Sequence, residues 1–378
     1  MISLHEGEIP VIEKRRPYAL VAITKHGVVH ARSYAEKFPY ADLYYMKKFE
    51  QGDEEARNIQ LFDGSVRLLL PALFQQYKGI ICIISLGAVV RMIAPLLMDK
   101  KKDPAVLVVD DKGQYVVSVL SGHIGGANAL THEFAKAIGA APVVTTASDV
   151  QKTIPVDLFG AQFGWMWDSE EKLTPVSASV VNEEHVAIVQ ETGEKNWWMY
   201  DRPIPDHLKM YPSIDEAIMA KPQAALLITD RIMEPHEEVL LENGVVYRPK
   251  SIVLGIGCNR GTAIAEIEQV IDEALAELSL SKKSVKAVAS INLKKNETGL
   301  LELTAKYNWP FVTYTPEQLN EIPMQNPSET VFKYTGAYGV SEPAAMRYAN
   351  AKELLLEKKK SGNVTISITR VNYEVEAQ

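Results

Sequence analysis

The residues best suited to chemistry in this 378-residue chain stand in three glycine-rich segments. Ser121-Gly-His-Ile-Gly-Gly-Ala-Asn128 places three glycines around one histidine. That is a costly use of backbone freedom unless the chain must turn tightly there. His123 titrates near neutral pH, so it suits a general base or acid, or a metal contact. Ser121 offers a hydroxyl nucleophile, but the flanking Gly-x-Ser-x-Gly elbow is missing. The plain alternative is a tight turn whose histidine bonds to backbone. In Ser85-Leu-Gly-Ala-Val-Val-Arg91, Gly87 lets backbone approach a ligand. Arg91, one turn into a helix, suits a carboxylate clamp; the alternative is a surface arginine on a structural turn.

The third segment, Gly255-Ile-Gly-Cys-Asn-Arg-Gly-Thr262, is near two familiar loops and fits neither. A dinucleotide fingerprint needs two residues between its second and third glycine, and here there are three. A P-loop needs Lys before the Thr, and Gly261 stands there. Nicotinamide and ATP are therefore poorly supported. Gly257, Asn259, Arg260 and Gly261 still suit an anion at a helix start, and Thr262 is a natural N-cap. Cys258 has no visible base beside it. Thr145, Thr146 and Asp149 follow a strand and are expected to line the same cleft as the other loops. Glu342 precedes a helix; it is a catalytic candidate or a helix-start carboxylate. No paired Cys-x-x-Cys, His-Glu-x-x-His or acidic cluster occurs, so no protein-bound metal is expected.

The surrounding pattern says what positions these loops. Tyr18–Ile23 and Gly79–Ser85 read as strands, the latter of a type covered on both faces. Leu43–Met46 and Pro142–Thr146 are further strands. Ala105–Val109 and Gln114–Ser118 form a hairpin around Asp110-Asp-Lys-Gly113. Helices are predicted at His30–Lys37, Gly64–Tyr77, Ala88–Leu97 and Ala127–Ile138. From about 148 the texture changes to tryptophan and proline. There a hairpin is predicted from Ser177–Asn182 and Val186–Gln190, a strand at Ala224–Thr229, and a pair within Val239–Tyr247. At Ser251 the strand–helix pattern restarts. Strands are predicted at Ser251–Gly255, Val285–Ile291, Phe311–Tyr314 and Val364–Thr369. Helices are predicted at Thr262–Leu278, Leu300–Tyr307 and Glu342–Glu357, with Glu357–Lys360 a solvated helix end. The expected fold is α/β in three domains: 1–147, a smaller mixed α/β middle domain 148–250, and 251–378, with helices flanking the N- and C-terminal sheets.

Lys and Arg number 40 against 48 Asp and Glu, a net charge of −8. A whole-chain nucleic-acid binder or a polybasic membrane anchor is disfavoured. The uncharged run Gly79–Val90 is too short to span a bilayer. Tyr18–Ile23 is too short for a signal-peptide core. Two cysteines make no disulfide framework. The cytoplasm is the expected compartment.

The stretch from Leu86 to Ala135, the segment Pro142–Asp149, Gly255–Thr262 and Gly339-Val-Ser-Glu-Pro-Ala-Ala345 together resemble the cobalt-precorrin-5A hydrolase (CbiG) family of anaerobic cobalamin biosynthesis. The resemblance runs over essentially the whole chain and is least distinctive in the middle. A domain similar to the C-terminal one occurs as a separate protein in the aerobic pathway. The resemblance implies a cobalt-bearing modified tetrapyrrole as substrate. Water opens its δ-lactone, formed by the ring A acetate, and the methylated meso carbon leaves as acetaldehyde, giving cobalt-precorrin-5B. The cobalt then belongs to the substrate, no protein cofactor is implied, and contacts with other pathway enzymes are transient. On that footing His123 is the candidate base, with N–H groups of Gly125 and Gly126 as oxyanion donors. Arg91, Arg260, Asn128 and the helix starts receive substrate carboxylates. Two other classes compete: a non-catalytic tetrapyrrole carrier, and an anion-binding α/β transferase. An acidic protein that holds a polyanion needs positive potential concentrated locally.

Overall fold

A computed structural model describes residues 1–373. Two compact units divide the chain, Met1–Leu158 and Phe159–Gln378.

The first unit is built on eight strands: β1 (Ile2–Ser3), β2 (Tyr18–Ala22), β3 (Ala41–Met46), β4 (Gln60–Asp63), β5 (Gly79–Ile83), β6 (Ala105–Val109), β7 (Tyr115–Leu120) and β8 (Ala141–Val143). Their order is β1-β4-β3-β2-β5-β6-β7-β8. The first six run parallel; β7 turns back against β6, and β8 follows β7. Helices α1 (Lys25–Lys37) and α4 (Ala127–Ile138) bury Val28, Tyr34, Leu130 and Phe134 on one face. Helices α2 (Val66–Gln76) and α3 (Leu86–Ile93) bury Leu69, Leu73, Val89 and Ile93 on the other. With both faces covered, every residue of β5 and β6 is buried, as charge-free β-branched runs require. A short α5 (Ala147–Gln151) closes the unit.

Several boundaries moved for local reasons. The Thr24 hydroxyl accepts the Gly27 N–H at 3.0 Å, so α1 starts at Lys25 rather than at His30. Pro95 does not break α3 but follows it in a 3-10 turn, Ala94–Leu96. The strand predicted to Thr146 stops at Val143, because Thr146 already caps α5. The order reverses between β2 and β5. At that switch point open α/β sheets form a crevice, and here a cleft of about 660 Å³ is lined by Ile23, Thr24, Ser85, Leu86 and Asp111.

The second unit carries two sheets. The first consists of β9 (Met166–Trp167), β10 (Val186–Gln190), β11 (Leu208–Tyr211), β12 (Ala224–Ile228) and β13 (Gly244–Arg248), in the order β11-β10-β12-β13-β9. Helices α6 (Leu173–Val181) and α7 (Ile214–Met219) flank it. The predicted hairpin at 177–190 is wrong. Residues 177–181 belong to α6, whose Leu173, Val176 and Val180 are buried at helical spacing, and β10 pairs in parallel with β11 and β12. The predicted strand pair in 239–247 is one strand preceded by a 3-10 turn, Glu237–Asn243. Trp165 and Trp197 are core residues, packed edge-on around Phe159.

The other sheet consists of β14 (Ile252–Cys258), β15 (Val285–Ile291), β16 (Phe311–Tyr314), β17 (Leu356–Ser361) and β18 (Val364–Arg370), in the order β16-β15-β14-β18-β17. Helices α8 (Ile264–Glu277), α9 (Thr298–Tyr307), α10 (Pro316–Asn320), α11 (Glu329–Thr335) and α12 (Ser341–Ala349) accompany it. The helix predicted to reach Glu357 ends at Ala349 on a left-handed Asn350. Residues 357–360 are therefore part of edge strand β17, not a helix end. Its lysines suit an edge that must not recruit another strand. Buried Asp230 ties the two sheets: it accepts from Ser251 Oγ at 2.7 Å and from Arg370 Nε at 2.7 Å. Among the described residues no helix is long and apolar enough to cross a membrane.

Candidate active site

At the end of β7 the chain turns sharply at Ser121, which is left-handed at φ 59°. The turn closes on itself. Gly126 N–H donates to His123 O at 2.8 Å, Ala127 N–H to Ser121 O at 3.0 Å, and Asn128 N–H to Gly122 O at 2.9 Å. A side chain at 125 would bring its Cβ to 2.3 Å from Ser121 Cβ, so glycine is required by contact. The turn holds the His123 imidazole between two carboxylates. Nδ1 lies 3.0 Å from an Asp157 oxygen, and Nε2 lies 3.0 Å from Asp149 Oδ2. Ser148 Oγ is 3.1 Å from Nε2.

Asn128 keeps this arrangement rigid. Its amide N–H₂ donates to Asp149 Oδ2 and to Thr146 Oγ1, both at 2.9 Å, and its carbonyl accepts from Ser118 Oγ at 2.7 Å. A buried amide with its groups paired has one orientation. The Asp157 hydrogen bond raises the His123 pKa above its ordinary value. Burial works against that, and Asp149 adds to it. The two carboxylates thus favour the imidazolium over the neutral ring relative to a free histidine, and a charged histidine gives a proton before it takes one.

The sequence candidates fall in different places. His123, Asn128, Thr146 and Asp149 come together; Thr145 is exposed beside them. The Ser121 hydroxyl donates to the Asp103 carbonyl at 2.9 Å and serves the turn. Gly126 N–H is spent on His123 O, which leaves Gly125 as the oxyanion candidate. Gly87 and Arg91 do not share this cleft. They belong to α3, which starts where the parallel strands end, whereas the β7 exit lies where those strands begin. About 17 Å of strand separates the two edges. A Cβ at Gly87 would meet nothing within 4 Å, and Arg91 is exposed, with no carboxylate partner among the described residues.

The third segment is in the second unit. Gly255 and Gly257 lie within β14, which runs on to Cys258. A Cβ at 255 would sit 1.8 Å from the Ser341 carbonyl oxygen, so Gly255 permits α12 to touch the sheet. In the loop beyond, Gly261 N–H donates to Glu297 Oε1 at 2.6 Å and Asn259 Nδ2 to Asn363 Oδ1 at 2.8 Å. Burial pushes the Glu297 carboxyl up, but the Gly261 N–H and Lys294 outweigh it and hold it below the usual range. This N–H already has its anion. Thr262 is not the N-cap; its hydroxyl donates to Asn259 O, and Ala263 caps α8. Arg260 is exposed. Buried Glu342 accepts the Lys358 N–H at 3.0 Å, fastening α12 to β17, and it lines a cleft of about 700 Å³ with Met324, Met346 and Glu353. Burial pushes the Cys258 thiol up, and the Cys82 thiol to about 12; neither is activated. Among the described residues no group of three His, Cys, Asp or Glu is placed to hold a metal.

Sequence reasoning missed Asp157 and Ser148. Asp157 is 34 positions from its partner, in a Pro- and Trp-rich stretch with no periodic signal.

Three family models match the chain: Cobalamin synthesis G N-terminal over 69–149, Cobalamin biosynthesis central region over 154–249, and Cobalamin synthesis G C-terminus over 252–369. The His123–Asp157 pair joins the first region to the second. A cobalt-precorrin-5A hydrolase of Priestia megaterium is 64% identical over 374 residues, covering 99% of this chain and 100% of that protein. One of Salmonella typhimurium is 33% identical over 364 residues, covering 94% and 98%. Protein CobE of a Sinorhizobium species is 33% identical over 110 residues, covering 29% of this chain and 71% of that protein. With three matched regions and a near full-length relative at this identity, the chain belongs to the cobalt-precorrin-5A hydrolase family.

Proposed function

We propose that the chain hydrolyses cobalt-precorrin-5A, and that His123, set between Asp149 and Asp157, carries the proton transfers. Water adds to the lactone carbonyl while Asp149 takes its proton. The tetrahedral oxyanion collapses, the carbonyl–oxygen bond breaks, and the leaving alkoxide takes the Nε2 proton of the His123 imidazolium. The neutral imidazole then accepts the proton of the freed hydroxyl. The carbon–oxygen bond becomes a carbonyl, the adjacent carbon–carbon pair moves into the macrocycle, and acetaldehyde leaves. Acid first and base second extends the base role expected from sequence, and it uses the charged form that the two carboxylates favour.

The observation that carries this reading is the imidazole with a carboxylate at each nitrogen. Asp157 fixes the ring from Nδ1 and leaves Nε2 to work, the division of labour seen wherever a carboxylate orients a histidine. Anaerobic incubation with cobalt-precorrin-5A, with trapping of acetaldehyde, tests it. Stoichiometric acetaldehyde with lactone opening is expected. Tight binding without acetaldehyde would favour the carrier, and no binding would favour the anion-binding transferase.

A further inference from the structure

The His123 cluster alone presents two carboxylates against one imidazole. A polycarboxylated substrate approaching it needs positive potential from a neighbour. The loop from α3 to β6 is that neighbour, with the sequence Met98-Asp-Lys-Lys-Lys-Asp103. Two observations place it. Ser121 Oγ donates to the Asp103 carbonyl at 2.9 Å, and Val106 pairs with Leu120 at the end of β7. Each lysine is within three residues of Asp103, so roughly 11 Å of chain at most separates them from the His123 turn.

The carboxylates of this loop are turned to backbone. Buried Asp103 accepts the Met98 N–H at 3.2 Å with both oxygens, and Asp99 accepts the Lys101 N–H at 2.9 Å. Lys100 and Lys102 are exposed and form no ion pair among the described residues. Exposed apolar side chains stand in the same loop and next to the His123 cluster in sequence. Met98 is 86% exposed, Val150, beside Asp149, is 65% exposed, and Ile124, beside His123, is 36% exposed.

We infer that Lys100, Lys101 and Lys102, with Met98, Ile124 and Val150, form the docking face of the substrate. Lys100 and Lys102, exposed on either side of Lys101, take acetate and propionate carboxylates of the tetrapyrrole, and the apolar residues take its disc. The inference rests on the hydrolase reading above. It also answers how an acidic chain holds a polyanion: cationic side chains are presented locally, beside the site.

The test is a triple variant of the full chain, Lys100→Gln, Lys101→Gln and Lys102→Gln, with the Lys→Arg triple as rescue. Two ligands are used: cobalt-precorrin-5A for kinetics and uroporphyrin, an octacarboxylate, for binding. The Gln triple should raise KM and the uroporphyrin Kd about tenfold or more at low salt, with the change in KM and not in kcat. The gap should close as salt rises, and the Arg triple should restore affinity. Met98→Asp should weaken binding of uroporphyrin octamethyl ester, which the Gln triple leaves unchanged. An unaltered KM in the Gln triple, in a protein that still releases acetaldehyde, overturns the docking face and leaves the hydrolase reading standing. Parent protein without acetaldehyde release overturns the hydrolase reading itself.

Discussion

His123 gains its character from residues far apart in sequence. Asp149 is 26 positions away and Asp157 is 34. The histidine and its glycines were legible as a chemical site, because a loop that gives up so much side chain must be paying for geometry. Asp157 was not legible, since a lone Asp in an irregular stretch carries no spacing signal. Its contribution is open to measurement. Asp157→Asn removes the main cause that raises the His123 pKa. The high-pH fall in activity, assigned to loss of the imidazolium, should then move to lower pH, with a rate loss of about tenfold to a hundredfold; an unmoved limb would separate Asp157 from the chemistry. Linkage gives a second readout. A histidine with a raised folded pKa stabilises the fold fully below its unfolded value of about 6.5, and loses that contribution as pH rises through the folded value. Thermal melts should therefore show the parent's advantage over Asp157→Asn larger at pH 6 than at pH 9.

Elements place these residues, and most were readable from periodicity. Charge-free runs such as Gly79–Ile83 admit little besides a doubly covered strand, and α4 was read to its boundaries. Failure came where β-branched residues occupy a helix, as Val176, Val180 and Val181 do in α6, because tertiary burial there overrides propensity. The other failure was of placement. Two strand-to-helix loops of one sheet do not share a cleft merely by type; the reversal of β7 sends the His123 turn to the edge opposite Ser85. Close contacts make two glycines testable. Gly125→Ala should cost about 1–3 kcal/mol and displace His123, seen as lost activity beyond the shift in Tm. Gly255→Ala drives a Cβ into the Ser341 carbonyl and should cost at least as much in urea unfolding.

At the scale of the molecule, net charge is a poor guide to local charge. The chain has a net charge of −8, yet a loop with three consecutive lysines is tied to the turn that carries His123. The second unit shows a different logic. Asp230, 1% exposed at its side chain, links the central and C-terminal sheets through Arg370 and Ser251. Asp230→Ala strands those partners and should cost about 2–4 kcal/mol, seen as a lowered or split thermal transition.

The central claim is that His123 transfers the protons. Single-turnover acetaldehyde release from cobalt-precorrin-5A, compared anaerobically between the parent and His123→Gln, tests it most directly. The account predicts a rate lower by about a hundredfold to ten-thousandfold with substrate affinity retained. Release at the parent rate by His123→Gln, with the substrate equally bound, would contradict it.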